Sequence, residues 1–307
     1  MMVFKRLFIA VSLLLFYSCT APEDTLVGWG DSMMKGSLSK ISILEVIQEE
    51  LGLATINFGQ GGLRSSQVAI LQGGAPFYLS PIDRKEADMG MLFLPPKDAP
   101  FTSFGTQQYT GNINGIGGSL KRVADTHHPN KTAHLAFSGD LTDTLMSSNA
   151  LLFDFDHAQK YRKSPTIIWA GRNDQKSDAG RIVILENLKM MVAHLEGDAK
   201  QNYLILGICN GRSDVEANDT PAYQNILALN TSLASHFGSH YVDVRAVMMK
   251  DAFSLLDIVP TSQDKAAIRL GCIPDRFFAD EVHFNELGNK ALGLYLAQRI
   301  LEKGWTN

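Results

Sequence analysis

Apolar runs alternate with amphipathic stretches in two parts of this chain and fade in the part between them. Near the front, Leu26, Val27 and Trp29 make a strand-like run that stops at Gly30-Asp31-Ser32. Ile43, Leu44, Ile47 and Leu51 then fall on one helical face, and Gly52 ends that helix. Residues 54–58 read as a second strand, followed by a glycine-rich turn at 59–62 and a short helix over 65–71. The rhythm returns after Pro165. A strand is expected over 166–170, and Ser177-Asp178 can cap a helix striped by Ile182, Leu185, Leu188, Met191, Val192 and Leu195 and ended by Gly197. A strand over 203–208 exits through Asn210-Gly211; a helix over 223–237 and a short strand over 241–244 follow. After a looser segment, 254–279, Asn285 caps a last helix with Leu292, Tyr295, Leu296 and Ile300 on its buried stripe. Strands alternating with helices predict a mostly parallel five-stranded sheet covered on both faces. With right-handed crossovers that is a flavodoxin-like three-layer α/β/α sandwich.

Residues 73–163 break the pattern. Prolines 76, 81, 95, 96 and 100 punctuate them, and β-like runs appear at 89–94, 111–123 and 132–137. Gly115-Ile116-Gly117-Gly118 reads as a turn between strands. The expectation is a β-rich subdomain inserted at the sheet edge, with a lid, a glycan-binding platform and an elaborated loop region all open as its role. The adjacent His127 and His128 lack spaced partners and read as solvent-exposed rather than as a metal site.

Composition changes little in this picture. The 307 residues, 45 % hydrophobic and 20 % charged, suit one large domain or one domain with an insertion. A net charge of −4, or −6 once Lys5 and Arg6 leave with a leader, argues against a nucleic-acid partner. The first residues do add something. Lys5-Arg6 precedes an apolar run from Leu7 to Tyr17 that is short of the roughly 20 residues needed to span a bilayer. Residues 1–18 therefore read as a signal peptide. Ser18-Cys19 is similar to a bacterial lipoprotein cleavage site with Cys19 lipidated, and cleavage after Ala21 is the open alternative. Both imply export, to the periplasm or, lipid-anchored, to the outer membrane or cell surface. Cys209 and Cys272 read either as a disulfide or as two buried thiols.

Four short blocks carry candidate chemistry. Gly30-Asp31-Ser32 puts a hydroxyl at the carboxyl end of the first strand, the edge where open α/β sheets bind ligands. Asn57-Phe58-Gly59-Gln60-Gly61-Gly62 follows the second strand, Gly171-Arg172-Asn173-Asp174 the third, and Asp280-Glu281-Val282-His283 precedes the last helix. In this order the chain resembles the SGNH hydrolases, the Gly-Asp-Ser-Leu esterase and lipase superfamily, over residues 25–72 and 165–303. The resemblance implies Ser32 as nucleophile, His283 as base and Asp280 as the carboxylate that orients the imidazole. It also implies an oxyanion hole from the Ser32 and Gly62 backbone N–H groups and the Asn173 amide, and chemistry without cofactor or metal. Physically, a serine needs an adjacent base to attack, and a carboxylate on Nδ1 leaves Nε2 facing the hydroxyl. Arg172 and Arg64 lie beside the expected site, either meeting an anionic substrate group or pairing with nearby acids. The glycine-rich turn lacks a full dinucleotide fingerprint and a P-loop ending. No Gly-x-Ser-x-Gly elbow is present, which argues against the α/β-hydrolase fold. The expected activity is hydrolysis of small acyl esters, with acetyl groups on a polysaccharide as candidate. A lipid-directed lipase or thioesterase and a non-catalytic glycan-binding lipoprotein are the alternatives.

Overall fold

The computed structural model describes residues 25–86, 90–139, 141, 150–174, 178–212, 216 and 220–305. The expected leader at 1–18, the Cys19 lipidation site and Ser177 lie outside them. Five strands form one sheet in the order β11-β10-β9-β1-β2: β1 (Leu26–Gly30), β2 (Thr55–Gly59), β9 (Thr166–Trp169), β10 (Tyr203–Leu206) and β11 (Tyr241–Val242). Every pairing in it is parallel. The central strands Leu-Val-Gly-Trp-Gly, Thr-Ile-Ile-Trp and Tyr-Leu-Ile-Leu are buried along their whole length, as a sheet with helices on both faces requires. No helix of the described residues is long and apolar enough to cross a membrane.

Local chemistry sets the helix ends. Ser42 and Glu45 form a capping box for the helix Ile43–Leu51, which Gly52 ends in the left-handed conformation. Asn285 accepts from the Gly288 N–H and caps Glu286–Glu302, whose Leu292, Leu296 and Ile300 are buried. In the helix Asp178–His194 the expected stripe is corrected. Ile182 is 65 % exposed, and the buried line is Ile184, Leu188, Met191 and Leu195. Both lines have helical spacing, so periodicity alone could not choose; contact with the helices Ser65–Gln72 and Pro221–Phe237 does. The segment 254–279, read as loose, contains the helix Ser262–Arg269 behind a Thr261/Asp264 capping box.

Between β2 and β9 the chain forms a second, antiparallel unit. Strands β3 (Tyr78–Glu86), β4 (Gly90–Leu94), β5 (Gln108–Ile113), β6 (Ile116–Ala124), β7 (Thr132–Phe137) and β8 (Leu151–Phe155) close into a barrel in the order β3-β4-β7-β6-β5-β8. The run expected over 111–123 is two strands of a hairpin. Its turn is Asn114-Gly115, both at positive φ (51° and 81°), as a two-residue hairpin favours; the turn expected at 115–118 shares Gly115 with it, and Ile116, Gly117 and Gly118 already belong to β6. Strands β3 and β8 were not expected at all, because their apolar residues alternate over too few positions beside prolines and charges. Phe93, Phe137, Phe153, Leu79, Leu120 and Leu135 are among the buried residues of this unit. The barrel is seated on the sheet through a cluster of rings. Trp29 stacks on Phe58 at 4.4 Å, Phe58 on His157 at 4.9 Å, and His157 lies 5.6 Å from Tyr109 and 5.3 Å from Phe155.

Candidate active site

Sheet register brings the blocks together. Gly30 pairs with Gly59 on one side and Trp169 on the other, so β1, β2 and β9 end level. The chain steps from β1 to β2 on one side, then returns to β9 on the other. This reversal makes the crevice beside β1 the topological switch point of the sheet. Ser32 opens the one-turn helix Ser32–Lys35 there, and as its first residue has no intrahelical acceptor for its N–H. Gly59 allows the helix this close, because a Cβ there would strike the Lys35 backbone nitrogen.

The Asp280–His283 turn arrives from the far end of the chain. The Ala279 N–H donates to the His283 carbonyl at 2.8 Å, beside a bridge between Phe278 and Phe284. Asp280 Oδ1 accepts the Val282 and His283 N–H groups at 2.8 and 2.7 Å, and its Oδ2 faces His283 Nδ1 at 2.8 Å. Across the crevice, His283 Nε2 lies 2.8 Å from Ser32 Oγ. With Asp280 ionised, Nδ1 carries the proton and Nε2 is left to accept from the hydroxyl. Burial alone would raise Asp280. The hydrogen bonds from His283 and Val282 outweigh it and hold the carboxyl below its ordinary value, so it stays anionic in mild acid.

The other candidates lie around this line. Asn173 Nδ2 donates to the Leu63 carbonyl at 2.7 Å, which fixes the amide and leaves its second N–H. Gly62, at φ +77°, sits in the turn that Leu63 closes. A staple ties the two loops: Asp174 Oδ2 accepts the Ser65 N–H at 2.9 Å and its hydroxyl at 2.6 Å, while Asn187 donates to the Ser65 oxygen at 2.8 Å. Arg172 and Arg64 are paired with acids, to Glu216 at 3.0 Å and to Asp98 at 2.6 Å. Cys209 and Cys272 are buried thiols, and burial pushes Cys209 up to about 12. His127 and His128 are exposed, and their backbone N–H groups are taken by Asp125.

Several site residues carried no assigned role in the sequence. Glu216 Oε2 accepts the Gly211 N–H at 2.7 Å, and the next N–H, of Arg212, donates to the Glu281 carbonyl at 2.9 Å. The loop after β10 thereby braces the turn that bears His283. Gly211 has to be glycine: an added Cβ would sit 2.5 Å from that same Glu281 oxygen. Gly211→Ala is expected to displace the Asp280–His283 turn and lower kcat about tenfold, since small misplacements of a catalytic group are costly. Steady-state kinetics beside a melting curve would check it, and an unchanged kcat would refute the bracing role. Gln60 was the other omission. Buried in the glycine-rich turn, it donates to the Tyr109 hydroxyl and accepts the Thr106 N–H, joining the site to the barrel. The only sequence signal was a large amide among glycines, with partners more than forty residues away.

Two buried groups titrate in opposite senses. Asp31, 1 % exposed, caps the Ser32 helix by accepting the Met33 N–H at 2.9 Å, and burial raises its pKa from 3.8 to about 6. Its contribution is therefore present below pH 3.8 and lost as pH rises to about 6. His157, buried in the ring cluster with Nε2 at 3.0 Å from the Leu71 carbonyl, is lowered by burial from 6.5 to about 4. Its contribution is present above pH 6.5 and lost as pH falls to about 4. Each amounts to roughly 3 kcal/mol at a little over 1 kcal/mol per pKa unit. The two nearly cancel. Asp31→Asn should expose a Tm that drops between pH 6.5 and 4, and His157→Gln one that rises over the same interval. Melting curves of both variants that simply track the parent would contradict this balance.

No family model matches the chain, and no curated protein matches it. Among solved structures, it is similar to a protein of the G-D-S-L lipolytic family from Desulfitobacterium hafniense DCB-2, with TM-score 0.44 and 12 % identity over 90 % of this chain and 99 % of that one. A member of the lipolytic protein G-D-S-L family from Veillonella parvula DSM 2008 gives TM-score 0.42 and 13 % identity, over 91 % and 96 % of the two chains. A peptidoglycan O-acetylesterase gives 0.34 and 11 %, over 93 % and 92 %.

Proposed function

We propose that this protein is a serine ester hydrolase acting through Ser32, His283 and Asp280. The observation that carries the reading is the unbroken line from Asp280 Oδ2 to His283 Nδ1 and from His283 Nε2 to Ser32 Oγ, 2.8 Å at each step, at the switch point of the sheet. Ser32 Oγ attacks the ester carbonyl carbon while Nε2 takes its proton. The negative charge moves to the carbonyl oxygen, where the Ser32 and Gly62 backbone N–H groups and the second N–H of Asn173 are the donors. The ester C–O bond then breaks as His283 returns the proton to the leaving alkoxide. Water, deprotonated by the same imidazole, then attacks the acyl carbon; the bond to Ser32 Oγ breaks as His283 returns the proton to that oxygen, freeing a carboxylic acid and restoring the hydroxyl.

The substrate reading is a small acyl group, acetyl first, on a saccharide carrier outside the cytoplasm. The basic n-region and apolar run before Cys19 support export, and the lipoprotein-like cleavage site supports a lipid anchor. Labelling with a fluorophosphonate followed by peptide mass spectrometry tests the mechanism. Modification of Ser32 is expected; label on another serine, or none while ester turnover continues, would remove Ser32 as nucleophile. The mass of the amino-terminal peptide in the exported protein tests the anchor: lipidated Cys19 supports it, and a start after Ala21 refutes it.

A further inference from the structure

The loop between β4 and β5 is fastened to the turn that follows β2. Thr102 Oγ donates to the Gly61 carbonyl at 3.0 Å, and the Thr106 N–H to Gln60 Oε1 at 2.9 Å. The Phe104 carbonyl accepts from Lys35 Nζ at 3.5 Å, and Lys35 stands one helical turn after Ser32. Gln107 Nε2 laces the loop to itself through the Thr102 and Gly105 carbonyls at 2.8 and 2.6 Å. Exposed loops are not usually held by so many bonds. At its crest Phe104 is 72 % exposed. Its Cβ would lie 3.3 Å from a Cβ on Gly61, the neighbour of Gly62. A large ring is thus held in water on a fixed support beside the expected oxyanion turn.

We propose that Phe104 is a carbohydrate-stacking residue, the platform for a pyranose ring of the acylated saccharide. This deepens, and for its kinetic test rests on, the esterase reading. The surroundings choose the ligand. A hydrocarbon chain needs a continuous apolar channel, whereas the side chains whose bonds hold the Phe104 loop, Lys35, Gln60, Thr102 and Gln107, are polar. A sugar matches that pattern, with C–H bonds on one face for the ring and hydroxyls at the edge for polar neighbours. The location matters as much. A carrier resting on Phe104 lies next to the donors that would polarise its ester, and because the loop belongs to the insertion, the insertion supplies the carrier specificity that the sheet lacks.

The test compares Phe104→Ala and Phe104→Trp with the parent enzyme on acetylated cello-, xylo- and chito-oligosaccharides, 4-nitrophenyl acetate and 4-nitrophenyl octanoate. Phe104→Ala is expected to raise KM for the best acetylated oligosaccharide about tenfold, at least fivefold more than for 4-nitrophenyl acetate, and Phe104→Trp to restore it. An equal loss on all three classes, no loss on the saccharide, or the largest loss on the octanoate overturns the proposal. A second measurement is independent of turnover. In Ser32→Ala protein, calorimetric titration of the unacetylated oligosaccharides should show binding that Phe104→Ala weakens about tenfold. Binding indifferent to Phe104, or no binding of any of the three, overturns the platform. Absence of ester turnover with Phe104-dependent saccharide binding would overturn the esterase reading and leave the platform standing.

Discussion

On the proposed mechanism, replacing Ser32 by alanine is expected to lower kcat on an ester substrate by on the order of 10⁵- to 10⁶-fold, with the protein folded and KM little changed. The reason is geometric. Ser32 Oγ is the hydroxyl that His283 Nε2 faces, at 2.8 Å. Residual rate above water would come from the N–H donors alone. His283→Ala should cost nearly as much, and the double variant hardly more than either, because the proposed nucleophile and base would act as one unit. Independent losses that multiply in the double variant would contradict a shared proton transfer. Asp280→Ala should cost less, since its side chain is 39 % exposed and water can replace part of its bond to the imidazole. Burst and steady-state kinetics on 4-nitrophenyl acetate separate these cases.

Asn173→Ala is expected to lower kcat about 10²- to 10³-fold, the usual cost of an oxyanion donor. Of its two amide N–H groups, one is committed to the Leu63 carbonyl, so the other is held in place before substrate arrives. That is the condition under which a donor favours the transition state over the ground state. The loss should therefore fall on kcat with KM nearly constant. Should the loss appear in KM alone, Asn173 binds substrate without stabilising the oxyanion. The Asp174–Ser65–Asn187 staple remains in this variant, so its Tm should move little.

The reach of the sequence differed between the two parts of the molecule. Strands β1, β9 and β10 are continuous apolar runs closed by glycine or polar turns, and the helices behind Ser42, Thr220 and Asn285 carry their own caps. Such signals are local, and the α/β core was legible from them. In the insertion the pairing partners are remote or hidden by prolines: β3 pairs with β8 across some seventy residues. The Asn114-Gly115 dipeptide is a local hairpin signal, but the glycines that follow it offer a competing one and shift the expected turn by one residue. Likewise Ile182 and Ile184 both satisfy a helical period, and only the surface the helix meets distinguishes them.

By itself the sequence determined the residue types, their order along the chain and the strand ends at which they stand, because apolar runs, caps and turns are written within a few residues of one another. Tertiary structure decided the rest. It brought Ser32 and His283, 251 residues apart, to 2.8 Å, tied Arg172 to Glu216, and set Phe104 of the barrel beside Gly61 of the sheet. The physical reason is that strand register and packing fix distances between segments that share no local signal.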